Sequence, residues 1–179
     1  MLSDLQKKEL LDYARAVISN RLTGSDITIP QDACFREKRG LFVTLHKDGQ
    51  LRGCIGYIDA YKDTLSSIRE MALAAAFRDP RFPPLKAAEL SQIRIEISLL
   101  SPLILIQDIA EITIGRDGLY LDHPRSSGLL LPQVATEWNW DRDTFLKQLC
   151  RKATLSEHAW QELGAQLYRF SAEIFGESD

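Results

Sequence analysis

Paired cysteines are missing from this chain. It has three, Cys34, Cys54 and Cys150, an odd and widely spaced set. Such usage argues against a disulfide framework and reads as the reduced thiols of a cytosolic protein. Long apolar runs are missing too. The longest, Leu99 to Ile106, is interrupted by Ser101 and Pro102, far short of the roughly 20 residues a membrane helix needs. The start, Met1-Leu2-Ser3-Asp4, soon turns charged, so no signal peptide is expected. Basic residues are not in excess: 22 Lys and Arg stand against 25 Asp and Glu, a net charge of −3. That balance disfavours nucleic-acid binding, which needs a positive footprint; a clustered surface of Arg52, Arg81 and Arg94 would revive it. The histidines, His46, His123 and His158, lie far apart, and no paired Cys or His spacing writes a metal site. There is no Gly-rich phosphate loop, catalytic serine motif or cysteine cluster for an iron–sulfur centre. The expectation is a soluble cytoplasmic protein without membrane segment, metal or cofactor, whose partners are small molecules or proteins.

What is present is ordinary globular material. The chain has 179 residues, 45% hydrophobic and 26% charged, enough for one domain over 1–179 with room for a second lobe. Only the end, Glu177-Ser178-Asp179, reads as a frayed tail. Ser3 and Gln6 have capping-box spacing ahead of a helix whose face carries Leu10, Ala14, Val17 and Ile18, with Gly24 at its end. Leu41–His46 and Leu51–Ile58 read as a hairpin around Lys47-Asp48-Gly49. Its register is open, because a two-residue loop and a three-residue loop with a Gly bulge set different residues opposite Cys54. Alternation along the return strand puts Arg52, Cys54 and Gly56 on one face, with Gly53, Ile55 and Tyr57 on the other. A second helix spans Thr64–Phe77 and stops ahead of Pro80. Gln92–Leu100 is a strand with Ile93, Ile95, Ile97 and Leu99 on one face. A second hairpin is expected from Ile112–Ile114 and Leu119–Asp122 around Arg116-Asp117-Gly118. Helices follow at 144–153, with Asp141 or Asp143 near the N-cap, and at 156–163. A closing strand carries Tyr168, Phe170, Ala172 and Ile174. Hairpins with separate helices, rather than regular alternation, predict an α+β fold with a mostly antiparallel sheet and flanking helices.

The string Leu51-Arg52-Gly53-Cys54-Ile55-Gly56 resembles the signature of the AMMECR family, whose microbial members are AmmeMemoRadiSam system protein A. The likeness continues at Ala75–Phe82, at Ile95–Pro102, at Gly115–Leu119 and at Gly128–Ala135. It ends over Trp138–Ala153, so it covers nearly the whole chain. The chain departs from the family at Thr154-Leu155, where Gly-Leu is common, and at Asp117, where His is frequent, which weakens any role for that turn position as a base. The resemblance implies an α+β fold with a larger and a smaller lobe and a cleft between them. It also implies a place in a modification pathway beside a Memo-type protein and a radical SAM enzyme, without a defined activity.

Cys54 is the first candidate for chemistry, since a thiolate beside a cation is a strong nucleophile. Arg52, two residues away, is its expected activator or anion clamp, and Gly53 and Gly56 leave room for a ligand or another backbone. The plainer reading is a half-buried strand cysteine whose glycines serve a bulge. Glu96 is the second catalytic candidate, as a general base on a strand face shared with Arg94 and Ser98; a solvent-facing ion pair is its plainer reading. Arg81, on the proline-fixed loop 79–85, is a candidate anion binder, and Asp79 there reads as a helix stop. Gln133, just after Pro132, is a ligand contact or a helix cap. His46 pairs with Cys54 only in one register. The competing functions are a thiol enzyme or group carrier and a non-catalytic scaffold for the two partner proteins.

Overall fold

In the computed structural model, residues 1–177 are described. They form two compact units, Met1–Leu100 with the returning tail from Glu173, and Ser101–Ala172. The described helices are α1 (Asp4–Thr23), α2 (Thr64–Phe77), α3 (Pro132–Glu137) and α4 (Arg142–Lys152). The strands are β1 (Leu41–Lys47), β2 (Gln50–Tyr57), β3 (Ile93–Leu100), β4 (Ile104–Leu105), β5 (Gly118–His123), β6 (Ser126–Leu130), β7 (Gln166–Phe170) and β8 (Ala172–Gly176).

The first unit packs α1 and α2 on one face of a sheet ordered β2-β1-β3-β8. The helix boundaries follow local chemistry. Ser3 Oγ accepts the Gln6 N–H at 3.2 Å, and Gln6 Oε1 accepts the Ser3 N–H at 2.9 Å, closing the capping box. Gly24 then ends α1 at φ 74°, a left-handed conformation that glycine adopts without strain. Asp63 caps α2 through the Ser66 N–H, and Pro80 keeps the chain from continuing it. Leu41, Val43 and Leu45 of β1 and Ile93, Ile95, Ile97 and Leu99 of β3 meet Leu10, Ala14, Ile18, Ile68 and Ala72 from the helices. Each such large side chain contributes roughly 1.5–3 kcal/mol by leaving water. The tail is tied down rather than frayed at Glu177: its N–H donates to the Ile95 carbonyl at 3.0 Å and its carboxylate grips Arg15. Residues 178 and 179 lie outside the described residues.

The second unit carries a sheet ordered β4-β7-β5-β6. Leu119 and Leu121 pack against Phe145, Leu146, Leu149 and Ala153 of α4, whose N-cap is Asp141. Its three resolved pairings are antiparallel, so the whole is the α+β fold expected. Three details differ from the sequence reading. Ile112–Ile114 is no strand: the Asp117 carboxylate takes the Thr113 N–H at 2.8 Å, which closes a turn there. The hairpin partner of β5 is β6 across Pro124-Arg125. The closing strand divides at Ser171, whose N–H and carbonyl bond to Ser101 at 2.9 Å each; β7 joins one sheet and β8 the other. The helix expected over 156–163 shrinks to a 3₁₀ turn at Ala159–Gln161, because Leu163 is fully exposed and offers no apolar face to bury.

Candidate functional site

The site begins with the β1–β2 turn. Asp48 at φ 52° and Gly49 at φ 73° are both left-handed, so the loop is a two-residue turn of the type that matches strand twist. Pairing starts Lys47↔Gln50 and His46↔Leu51, then jumps to Leu45↔Gly53. Arg52 is therefore the extra residue of a β-bulge. Unbroken pairing would have set Cys54 opposite Val43, which is completely buried under the helices. The bulge advances the strand by one residue, sets Cys54 opposite Thr44 and turns its thiol to the face away from the helices.

Next to the bulge, the Arg52 guanidinium is held by a carboxylate and not by Cys54. Arg52 goes instead to Glu89, Nε to Oε1 and Nη2 to Oε2 at 3.1 Å each, where Lys47 joins it at 3.2 Å. The hydrogen bonds from Arg52 hold the Glu89 carboxyl down to about 2, against the opposing effect of burial. The two glycines are used inside the protein. A Cβ on Gly53 would lie 2.2 Å from the Ala75 carbonyl oxygen, and one on Gly56 would lie 2.3 Å from the Leu41 carbonyl oxygen and 2.4 Å from the Phe42 ring. Gly53 thus admits α2, and Gly56 admits its neighbouring strand, so of the two expectations it is other backbone that takes the room they leave.

β2 is an edge strand, and the N–H and C=O of Cys54 point away from β1. A side-chain clip meets both. Asp79 Oδ2 accepts the Cys54 N–H at 2.9 Å, and Arg81 Nη2 donates to the Cys54 carbonyl at 3.1 Å. Arg81 also donates to both carboxylate oxygens of Asp79, at 3.0 and 2.7 Å. The pair does for one residue what a further strand would do, and so closes the edge. Asp79 is nearly fully buried, and the Arg81 hydrogen bonds hold its carboxyl well below the usual carboxylate range despite that burial. Arg81 in turn is held above its ordinary value, first by its hydrogen bonds to Asp79. Arg81, and not Arg52, is the arginine bonded to Cys54, through its backbone carbonyl.

On the other side, Thr44 Oγ1 lies 3.2 Å from Cys54 Sγ, within hydrogen-bond reach. Thr44 is paired with Glu96 across β3, so Cys54, Thr44 and Glu96 form a row across the sheet. Two strand spacings separate Cys54 from Glu96, roughly 10 Å of backbone. Glu96 is therefore out of direct reach of the sulfur. His46 shares the face but pairs with Leu51 and Arg94, and among the described residues no hydrogen bond joins it to Cys54. Gln133 belongs to the second unit, at the start of α3; its Oε1 is buried and has no hydrogen-bond partner among the described residues. With Arg52 and Arg81 each bound to a carboxylate, they do not build a bare basic surface.

Sequence reasoning missed Thr44 and the tethering role of Asp79. The Asp-Pro-Arg spacing signals the second; the first becomes visible only with the register. The other thiols differ in kind. Cys34 is pushed up to about 11 by burial and by Asp32, and Cys150 is fully buried, which raises it as well. No group of three or more His, Cys, Asp or Glu able to hold a metal occurs among the described residues, and no helix among them is long and apolar enough to cross a membrane.

An α+β protein with a half-buried strand thiol, clipped from one side and hydrogen-bonded from the other, is the class that fold and site define. The chain belongs to the AMMECR1 family, whose model matches residues 11–175. It is 43% identical over 185 residues to a protein of Methanothermobacter thermautotrophicus, covering 98% of this chain and 96% of that one. It is 44% identical to Protein MJ0810 of Methanocaldococcus jannaschii, covering 92% and 87%. Among solved structures it is similar to the uncharacterized protein PH0010 from Pyrococcus horikoshii, with TM-score 0.88 and 37% identity over 99% of this chain and 94% of that one.

Proposed function

We propose that Cys54 is the working thiol of this protein, a nucleophile or group carrier in a modification pathway. The single observation behind this reading is the environment of its sulfur: a hydroxyl donor at 3.2 Å from Thr44, and a backbone pinned by Asp79 and Arg81. In this role the thiolate displaces a leaving group from an electrophilic carbon, the group departing with the electron pair of its broken bond as the carbon–sulfur bond forms; Arg81 offers its remaining donors to that anionic leaving group, and Glu96 is the candidate base for a proton lost elsewhere on the bound molecule. The family resemblance supports a Memo-type protein and a radical SAM enzyme as partners, with any radical step performed by the latter.

The test is alkylation of the folded protein with iodoacetamide near neutral pH, followed at each cysteine by mass spectrometry. Cys54 is expected to react roughly tenfold or more faster than Cys34 and Cys150, whose thiolates are suppressed by burial. Equal rates would remove the nucleophile. A scaffold role has its own support in the glycines and Arg52, all used for internal packing. It is favoured if Cys54→Ala still captures both partners and supports the pathway in cells.

A further inference from the structure

Near the C-terminal ends of α1 and α2, the first unit carries a groove of about 630 Å³ lined by Arg21, Leu22, Leu73, Phe77, Arg78 and Pro84. That volume lies within the roughly 300–1,000 Å³ of ordinary ligand clefts. Leu22, Leu73 and Phe77 pack one side against the core and leave the other as an apolar floor. Arg21 and Arg78 are exposed at the rim. No carboxylate lines the groove, and among the described residues neither arginine makes a side-chain ion pair. Other arginines of this unit are committed: Arg15 to Glu177, Arg39 to Glu37, Arg52 to Glu89 and Arg81 to Asp79. Arg36 and Arg69 of this unit are likewise exposed without an ion pair among the described residues, so Arg21 and Arg78 stand out by the apolar floor between them.

Cations at helix C-termini complement the helix dipole, by about 0.3–1 kcal/mol each. That explains a positive charge at each end and not the apolar floor they share. The wall is also rigid. Leu85 is buried and its N–H donates to the Ala76 carbonyl at 2.8 Å, while Pro83 and Pro84 fix the backbone ahead of it. A partner therefore meets a surface that needs little ordering.

We propose that this groove binds an acidic peptide segment of a partner protein, with an apolar side chain on the Leu22, Leu73 and Phe77 floor and carboxylates on Arg21 and Arg78. Charge complementarity selects the partner, and the guanidinium forks suit carboxylates. The placement has a consequence for chemistry. Arg78 directly precedes Asp79, and Pro84 closes the loop that carries the Asp79–Arg81 clip, so a segment docked here lies beside the loop that holds Cys54. The proposal does not depend on the reactivity of that thiol.

The probes are two fluorescein-labelled, capped peptides, EDLFEE and KKLFKK, read by anisotropy at low salt. The acidic peptide is expected to bind saturably. Its affinity should fall roughly tenfold or more in the R21E/R78E double variant, with thermal unfolding lowered by only a few degrees through the reversed charges at the helix ends. Leu73→Ser, a milder change to the floor, should weaken binding without reversing charge. The lysine peptide should not bind, and Cys54→Ser should bind the acidic peptide as the unaltered protein does, which separates this proposal from the thiol reading. It is overturned if both peptides bind alike, if R21E/R78E binds as well as the unaltered protein, or if phosphatidylserine vesicles bind through these arginines while the peptide does not.

Discussion

Two buried aspartates, one in each unit, use the same chemistry for different ends. The side chains of Asp79 and Asp117 are 1% and 3% exposed, and each pairs with an arginine more than half exposed, Arg81 and Arg116. Asp117 works within its own turn, taking the Thr113 N–H and both donors of its neighbour Arg116. Asp79 takes the local Arg81 N–H and guanidinium, then reaches 25 residues back to the Cys54 N–H. One clip shapes a loop and the other fastens a strand edge. The difference lies in where the last acceptor lone pair goes, and it marks the residue whose backbone position the fold holds with most care.

Removing the carboxylates should separate the two roles. Asp79→Ala orphans the Cys54 N–H and an arginine, and buried donors left unpaired cost about 1–3 kcal/mol each. Its loss is expected at roughly 3–4 kcal/mol in urea denaturation, with a several-fold change in Cys54 alkylation. Asp117→Ala should lose about 2–3 kcal/mol and leave Cys54 alkylation as it was. If Asp117→Ala moves the Cys54 rate equally, the contrast between a local clip and a long-range one collapses.

Acid offers a finer separation. Both carboxyls titrate below the ordinary 3.8 in the folded protein. Asp79 is lowered chiefly by the Arg81 hydrogen bonds. For Asp117, burial acts upward and is outweighed by Arg116 and the Thr113 N–H. A depressed carboxyl contributes stability that is complete above its unfolded value and disappears as pH falls through the folded one. Both contributions should therefore fade below about pH 4, that of Asp79 being the larger. Thermal midpoints between pH 5 and 2.5 measure this: Asp79→Asn should flatten the acid limb more than Asp117→Asn. The reverse order would mean that burial, rather than the arginine, governs both sites.

Much of the fold was legible because its signals are local. The Ser3 capping box, Gly24, the α2 stop ahead of Pro80 and the Asp48-Gly49 turn each depend on neighbours a few residues away. The β3 alternation was legible because one face is wholly buried. The bulge at Arg52 was not, since it is held by partners distant in sequence: the Ala75 carbonyl against Gly53, Glu89 on Arg52 and Asp79 on Cys54. The period-two rule sets Arg52 beside Cys54 and carries no sign of Glu89, 37 residues on, which takes its guanidinium. The division of the closing strand at Ser171 escaped for the same reason, because its alternation is equally good in either sheet. Cys54 itself was legible as a candidate; its partners Thr44 and Arg81 waited on register and loop geometry.

The smallest expected effect is the most informative about chemistry. Arg81 and Arg116 are similarly exposed, but each partners a buried carboxylate, so losing either should cost about 1–2 kcal/mol. In stability, Arg81→Ala and Arg116→Ala should look alike. They should part in the alkylation of Cys54, because only Arg81 bonds the Cys54 carbonyl. Arg81→Ala is expected to slow the reaction a few-fold, while Arg116→Ala leaves it unchanged. Arg81→Lys then divides charge from geometry. A lysine keeps the positive charge but lacks the planar fork that reaches Asp79 and the Cys54 carbonyl together. Recovery of the rate in Arg81→Lys assigns the effect to charge beside a thiolate; no recovery assigns it to the pinned backbone. An Arg81→Ala rate equal to that of the unaltered protein would reduce Arg81 to a counterion of Asp79, and the two clips would then differ only in which N–H they hold.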